Sequence, residues 1–217
     1  MSNVLPIAIP HARVARRRVL HVGCGHQSAH RLHAAFRDSD WHEIRLDIDE
    51  RVKPDIVCST VDMTDVVGTG AVDAVWSSHT IEHLYDHEVT AAFAEFRRVL
   101  SAEGFLLLRC PDLEAVAESL LRNGLEHVAY ESPAGPITPL DMLYGHRPSI
   151  AAGSSYMAHR TGFTDERMGR TLMEAGFSEA RTKRATNFDL WAVAFAEDAD
   201  VDGRLDQLAR NGLRFDS

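Results

Sequence analysis

Short apolar segments alternate with segments of helical periodicity, and this alternation constrains the fold of the chain more than any other feature. The helical spacing of apolar residues is clearest in "QSAHRLHAAFRD", "EVTAAFAEFRRVL" and "DLEAVAESLL". The strand-like segments are "RVLHVG", "HEIRLDID", "DIVCS", "AVDAVWSS" and "GFLLLRC". Strands that alternate with helices predict βαβ units, and therefore an α/β fold with a mainly parallel sheet covered on both faces.

The remaining regular segments complete this pattern. The segment after the first strand places Ala29, Leu32, His33 and Phe36 on one face, so we expect a helix there. Towards the other end, "FTDERMGRTLMEAGF" predicts a helix with Thr164 as its N-cap. "EARTKRA" and "FDLWAVAFA" predict an antiparallel pair of strands at the sheet edge, and the acidic tail predicts a short helix or a frayed end.

Residues 124–160, called the excursion below, interrupt the alternation. They contain four prolines and several glycines and have no sustained periodicity. Irregular segments of this length are uncommon in compact domains and are usually functional. We therefore expect the excursion to fold over the ligand-binding edge of the sheet as a substrate lid.

The bulk properties exclude several classes of partner. Lys and Arg number 23 and Asp and Glu number 32, so the net charge is −9, which argues against nucleic acid or an anionic membrane as a general partner. No apolar run approaches a membrane span of about 18 residues, and the first 18 residues lack the order of a signal peptide. We expect one soluble, cytoplasmic domain over residues 1–217, and the sequence leaves a homodimer open.

Glycines and acids follow the predicted strands where a nucleotide would bind. Gly23-Cys24-Gly25 ends the first strand, and glycines let the backbone approach a ligand closely. Asp47 follows 24 residues after Gly23, a spacing suited to an acid that binds ribose hydroxyls. Asp62 could bond an adenine amine, with Met63 packing on the ring. Together these features predict a nucleotide site at the carboxyl ends of the strands.

"VLHVGCG", "RLDID", "AVDAVWSSHTIEHL", "EFRRVLSAEGFLLLRCPDL" and "LMEAGF" resemble, in order, the motifs of the class I S-adenosylmethionine-dependent methyltransferases. The resemblance is closest to the small-molecule type with an E-H dipeptide after the fourth strand. It implies a Rossmann-like, doubly wound, seven-stranded sheet whose last strand is antiparallel, and S-adenosylmethionine as cofactor. It also implies these cofactor-binding residues: Gly23, Cys24, Gly25, Asp47, Ile48, Asp62, Met63, Ser77 and Ser78.

Two departures from the family pattern fall where the amino-acid end of the cofactor is held. His21 replaces the usual acid of the first strand, and His26-Gln27-Ser28 replaces the usual third glycine. We expect this part of the site to be built differently. The departures also keep open an alternative function, a non-catalytic or repurposed S-adenosylmethionine-binding protein.

His79-Thr80-Ile81-Glu82-His83 matches H-x-x-E-H, a zinc-peptidase signature, which makes a zinc hydrolase a third candidate. A zinc site needs a third ligand, and His87 is the nearest histidine four residues further on. Histidines at i, i+4 and i+8 drift around a helix, so we predict no metal at His79, His83 and His87. Glu82 is then expected to partner a backbone amide or a nearby base, and His83 to orient or pack.

His79 ends the fourth strand, where the methyl acceptor should arrive. A neutral imidazole is suited to remove a proton from the acceptor, so His79 is the predicted general base. The alternative is a histidine hydrogen-bonded to the cofactor or to Glu82. From the excursion, Tyr144, His146 and His159 are predicted to contact a small-molecule acceptor that carries an amine, hydroxyl or carboxyl group.

Overall fold

The computed structural model describes residues 16–28 and 30–215. The expectation about the first 15 residues, and the place of Ala29 on a helix, lie outside the described residues. A seven-stranded sheet forms the centre of the chain, in the order β3-β2-β1-β4-β5-β9-β8. Its strands are β1 (Arg17–Val22), β2 (Trp41–Asp47), β3 (Ile56–Val57), β4 (Val72–Ser78), β5 (Leu100–Pro111), β8 (Glu179–Arg184) and β9 (Asp189–Phe195).

The strand directions agree with the predicted fold class. β1 to β5 pair in parallel, whereas β9 runs antiparallel to both β5 and β8. The order changes direction between β1 and β4, which leaves a crevice beyond their carboxyl ends. The α/β class and the seven-stranded, mainly parallel sheet are therefore confirmed.

Six α-helices accompany the sheet in the described residues. They are α1 (Asp86–Val99), α2 (Leu113–Asn123), α3 (Pro139–Tyr144), α4 (Arg147–Ala151), α5 (Asp165–Glu174) and α6 (Val201–Arg210). The side chain of Thr164 accepts a hydrogen bond from the Arg167 amide, so the predicted N-cap of α5 is confirmed. The tail forms α6, the first of the two predicted alternatives. No helix in the described ranges is long and apolar enough to cross a membrane.

The strands bury side chains on both faces of the sheet because helices cover each face. On one face, Leu106 and Leu108 of β5 pack with Phe93 of α1 and Leu172 of α5. On the other face, a second cluster includes Trp76, Phe105 and Leu107 together with Leu208 of α6. This alternation of successive side chains between two apolar layers is the pattern of a doubly covered sheet.

The predicted helix after β1 is wrong in the described residues. Only a 3₁₀ turn, Ala34–Phe36, forms there. The Trp76 indole nitrogen donates to the Arg31 carbonyl (2.8 Å), and Arg37 Nε donates to the Leu32 carbonyl (2.8 Å). These carbonyls would otherwise accept the bonds of a helix, so side chains have replaced helical pairing. Helix α6 packs beside this turn, where Gln207 donates to the Ala35 carbonyl.

The excursion contains short regular elements that its sequence did not indicate. A hairpin of β6 (Tyr130–Ser132) and β7 (Gly135–Ile137) precedes α3 and α4, and a 3₁₀ turn follows at Ser155–Met157. Elements of three to six residues are too short to produce a readable period, which explains the missing signal. Met142 and Ile137 pack on Val116 of α2 in a small separate cluster.

Candidate functional site

A cavity of about 1000 Å³ opens at the carboxyl ends of the parallel strands. Its wall combines residues that end β1, β2 and β4 with the start of β9 and much of the excursion. The sequence-predicted residues on this wall are Gly23, Gly25, Asp47, Ile48, Ser78, His79, His146 and His159. The fold thus brings the glycine turn, the acid of β2 and three histidines to one place.

The turn after β1 needs glycine at two positions. Gly23 and Gly25 have φ values of +62° and +59°, a region that residues with a Cβ rarely adopt. A Cβ at Gly23 would lie 2.2 Å from Thr80 Oγ1, so the turn packs directly against the segment after β4. Arg45 supports the turn from β2, because its guanidinium donates to the Gly25 carbonyl (2.5 Å) and the Lys53 carbonyl (2.8 Å).

Asp47 lies on the wall with its carboxylate fixed by backbone amides. Oδ2 accepts from the Gly25 amide (2.8 Å), and Oδ1 accepts from the Asp49 amide (2.9 Å). Each carboxylate oxygen has about two lone-pair directions, so each can accept one further hydrogen bond. The neighbouring Ile48 is 62% exposed, which is unusual for isoleucine and leaves an apolar surface beside the carboxylate.

His21 is buried and hydrogen-bonds through Nδ1 to Glu43 Oε1 of β2 (2.6 Å). The carboxylate that the family has within the first strand is absent here, but Glu43 of the neighbouring strand places a carboxylate beside His21. The altered segment is therefore held by the His21–Glu43 pair and by Arg45, and the different construction of this end of the site stays a prediction.

The structure places four predicted cofactor residues away from the cavity wall. Cys24 is buried, its amide pairs with the Leu46 carbonyl, and burial raises the pKa of its thiol to about 11. Met63 lies in the core, and Ser77 is fully buried. Asp62 accepts from the Thr64 amide on the exposed surface. At this position the wall is formed instead by Cys58, Ser59 and Thr60.

His79 has an unusual backbone conformation, with φ +52°. Its amide donates to the Arg109 carbonyl (2.9 Å), which holds the segment beside β5. Non-glycine residues in the left-handed region are uncommon and often occur at functional sites. Here the turn directs the imidazole between two carboxylates: Nδ1 lies 3.2 Å from Glu82 Oε1, and Nε2 lies 3.2 Å from Asp189 Oδ1.

These contacts decide the charge of His79. Desolvation lowers the pKa of the imidazole although 40% of the side chain is exposed, but its hydrogen bonds to Asp189 and Glu82 outweigh that effect and raise the pKa to about 9. Burial opposes ionisation of Glu82 and Asp189 as well, yet the bonds with His79 keep both carboxyl pKa values below normal. At neutral pH the group is therefore an imidazolium between two carboxylates. The general-base role of His79 stays a prediction, and it would require the imidazole to lose this proton first.

The excursion closes the cavity from the other side. His146 and His159 lie on the wall, and their Nδ1 atoms bond to Ser149 Oγ (2.7 Å) and the Met142 carbonyl (2.8 Å). Tyr144 lies off the wall with 63% of its surface exposed, so the structure does not place it with the other two predicted contacts. The Tyr156 hydroxyl donates to Asp49 Oδ2 and accepts from Arg51, which joins the excursion to the end of β2.

The H-x-x-E-H segment does not form a metal-binding helix. His79 is left-handed, Ile81–His83 is a 3₁₀ turn, and α1 begins only at Asp86. His87 is exposed and stacks beside Tyr85 (ring centroids 5.8 Å apart). The zinc-hydrolase interpretation required the ligands to lie on one face of a single helix, and these residues do not form one helix.

Two charged groups on the wall, Arg109 and Asp189, were not predicted from the sequence. Asp189 begins β9 and accepts from His79, from Arg109 (3.2 Å) and from Asn187 (2.9 Å). Arg109 also donates to Ser78 Oγ (2.9 Å). Asp189 is the only acid in the otherwise apolar strand "DLWAVAF", which is a signal that the sequence offers. The sequence does not indicate that this acid contacts His79 and Arg109.

Comparisons with known proteins agree with this architecture. Residues 20–108 match the family model of a methyltransferase domain. A SAM-dependent methyltransferase from Archaeoglobus fulgidus shares the fold with a TM-score of 0.54 and 13% identity, over 83% of this chain and 86% of that chain. The PH0226 protein from Pyrococcus horikoshii has a TM-score of 0.53 and 15% identity, over 83% and 82%. A search of curated proteins finds no match.

Proposed function

We propose that this chain is a class I S-adenosylmethionine-dependent methyltransferase and transfers a methyl group from that cofactor to a small molecule held in the cavity. The single observation that carries the proposal is the arrangement of the wall. One end has the glycine turn, Asp47 and Ile48, and the other has an ordered set of charged groups beneath the excursion. S-Adenosylmethionine, when bound, supplies an electrophilic methyl group on a sulfonium.

The residues at the β1 and β2 end suit the nucleoside part of the cofactor. Asp47 has a free acceptor direction on each oxygen, which matches the two hydroxyls of a ribose. Ile48 offers an apolar surface on which an adenine ring can pack. The altered turn and the missing helix after β1 favour the alternative, a protein that binds the cofactor without transferring its methyl group.

The volume of the cavity and the net charge of the chain support a small acceptor. Small-molecule sites occupy about 300–1000 Å³, so a cavity of about 1000 Å³ has room for the cofactor and an acceptor together. The net charge of −9 disfavours nucleic acid. The excursion walls the cavity, and exclusion of water strengthens polar contacts inside it.

In this proposal His79 is a positioning residue. As an imidazolium it fixes the Glu82 and Asp189 carboxylates on the acceptor side of the cavity. Rate enhancement then comes mainly from holding the acceptor atom in line with the methyl group, which can account for much of a methyl transfer.

The test is formation of S-adenosylhomocysteine by the purified chain. The chain is incubated with S-adenosylmethionine and a low-molecular-weight metabolite extract, with extract-free and heat-denatured samples as controls. We predict extract-dependent product and a matching methylated small molecule by mass spectrometry. Tight cofactor binding without any product would favour the non-catalytic alternative, and absence of cofactor binding would contradict both.

A further inference from the structure

Three potential metal ligands converge on the acceptor side of the cavity from distant parts of the chain. Glu82 and His83 lie in the turn before α1, and His159 lies at the end of the excursion. One potential ligand atom from each side chain lies within 4.8 Å of those of the other two. The rings of His83 and His159 are tilted against each other, with centroids 4.9 Å apart.

The environment of the Glu82 carboxylate is the strongest indication that a ligand binds between these three side chains. The residue is 1% exposed, its Oε1 bonds to His79, and its Oε2 is buried without any hydrogen-bond partner among the described residues. A buried carboxylate oxygen without a partner is costly, because it loses water and gains nothing in return. A cation would satisfy it.

Both histidines are oriented as metal ligands usually are. His83 Nδ1 lies 3.2 Å from the Ala158 carbonyl, and His159 Nδ1 lies 2.8 Å from the Met142 carbonyl. A carbonyl oxygen only accepts, so each Nδ1 must carry the proton, and Nε2 of the neutral ring keeps a lone pair. Metal-bound histidines commonly donate their other nitrogen to such a carbonyl.

We propose that Glu82, His83 and His159 form a binding site for a divalent transition-metal ion such as Zn²⁺. Two imidazoles and one carboxylate suit zinc or a related first-row metal rather than Mg²⁺, which prefers oxygen ligands. At bond lengths near 2.1 Å, tetrahedral ligand atoms are roughly 3.4 Å apart, so atoms that lie within 4.8 Å of one another need to approach by up to about 1.4 Å. Because all three line the cavity, a fourth position faces the acceptor side.

This site differs from the one suggested by H-x-x-E-H. His79 does not bind the metal but holds the second oxygen of Glu82, and His87 takes no part. The third ligand comes from the excursion, 76 positions after His83, where no sequence spacing connects it to the motif. The proposal goes beyond methyl transfer and does not depend on it, because its test measures binding of the metal alone.

The test is a calorimetric titration of the tag-free, EDTA-treated chain with Zn²⁺, with Mg²⁺ as the comparison ion. We expect one Zn²⁺ per chain and no comparable Mg²⁺ binding. His159→Ala and Glu82→Gln should each weaken Zn²⁺ binding by roughly 100-fold or more, since loss of an outer partner alone costs about 10- to 100-fold. Glu82→Gln keeps an oxygen for His79, so a retained thermal unfolding transition separates ligand loss from misfolding.

His87→Ala is the matched control, because His87 belongs to the alternative ligand set and lies on the surface. It should bind Zn²⁺ as the wild type does. Less than one Zn²⁺ per chain, or equal affinity of the folded His159→Ala variant and the wild type, would overturn the proposal. Loss of binding in His87→Ala to the same degree as in His159→Ala would also overturn it.

Discussion

At the scale of single residues, His79 shows how local geometry changes the chemistry of a side chain. A solvent-exposed histidine titrates near 6.5 and can act as a base, as the sequence suggested. In the fold, a left-handed backbone aims the ring at Glu82 and Asp189, and the imidazole gains a proton. The sequence contains His79 and Glu82 three positions apart, but it gives no indication that Asp189 meets them from β9.

This charge predicts a pH dependence of stability. The folded-state pKa of His79 is about 9, above its ordinary value of 6.5. Its stabilising contribution is therefore fully present below about pH 6.5 and is lost as the pH rises through about 9. Because 40% of the side chain is exposed, solvent screening limits this contribution to the order of 1 kcal/mol.

Urea denaturation at these two pH values measures the effect. The free energy of unfolding of the wild type should fall more between them than that of His79→Gln, which cannot titrate. The same pH dependence in both proteins would show that His79 is not protonated in the fold.

At the scale of elements, the parts of the fold that could be predicted are those in which apolar residues repeat periodically over a long segment. The helices α1, α2 and α5 and the strands β1, β2, β4, β5 and β9 carry repeated apolar positions, and the structure has them where the sequence indicated. The predicted helix after β1 does not form because the side chains of Trp76, from β4, and of Arg37, from the segment itself, bond the carbonyls that helical pairing would use. The excursion was visible only as an interruption, since its elements are too short to show a period.

The contact between Tyr156 and the end of β2 predicts how the excursion is held closed. Tyr156→Phe removes the hydroxyl that joins Asp49 and Arg51, at a cost typical of one or two hydrogen bonds, about 0.5–1.5 kcal/mol each. We expect faster amide hydrogen exchange in the excursion and S-adenosylmethionine binding weakened by roughly 3- to 10-fold.

The matched control for this change is Tyr144→Phe, because Tyr144 belongs to the same excursion and its side chain is exposed away from the wall. This control should leave both measurements at wild-type values. If Tyr156→Phe behaves like Tyr144→Phe, the contact with β2 does not hold the excursion.

At the scale of the whole molecule, the sheet assembles one site from segments that are far apart in the sequence. The glycine turn and Asp47 could be predicted, because they end consecutive strands and ends of parallel strands share an edge. The Glu43 partner of His21, the Arg45 support and the convergence of His159 on Glu82 could not, because they depend on strand register and on the path of the excursion. The wall near Asp47 could therefore be predicted from sequence motifs, whereas the wall near Glu82 depends on tertiary contacts.

Calorimetric titration of the wild type, Asp47→Ala and Asp62→Ala with S-adenosylmethionine measures whether the Asp47 carboxylate binds the cofactor. Charge-assisted hydrogen bonds contribute about 1.5–3 kcal/mol each, so Asp47→Ala should weaken binding at least tenfold while the circular dichroism spectrum stays unchanged. Asp62 also follows a strand but lies off the cavity wall, so Asp62→Ala is the control and should leave the affinity for S-adenosylmethionine unchanged. No binding by the wild type, or equal affinity of the wild type and Asp47→Ala, would contradict the assignment of this cavity.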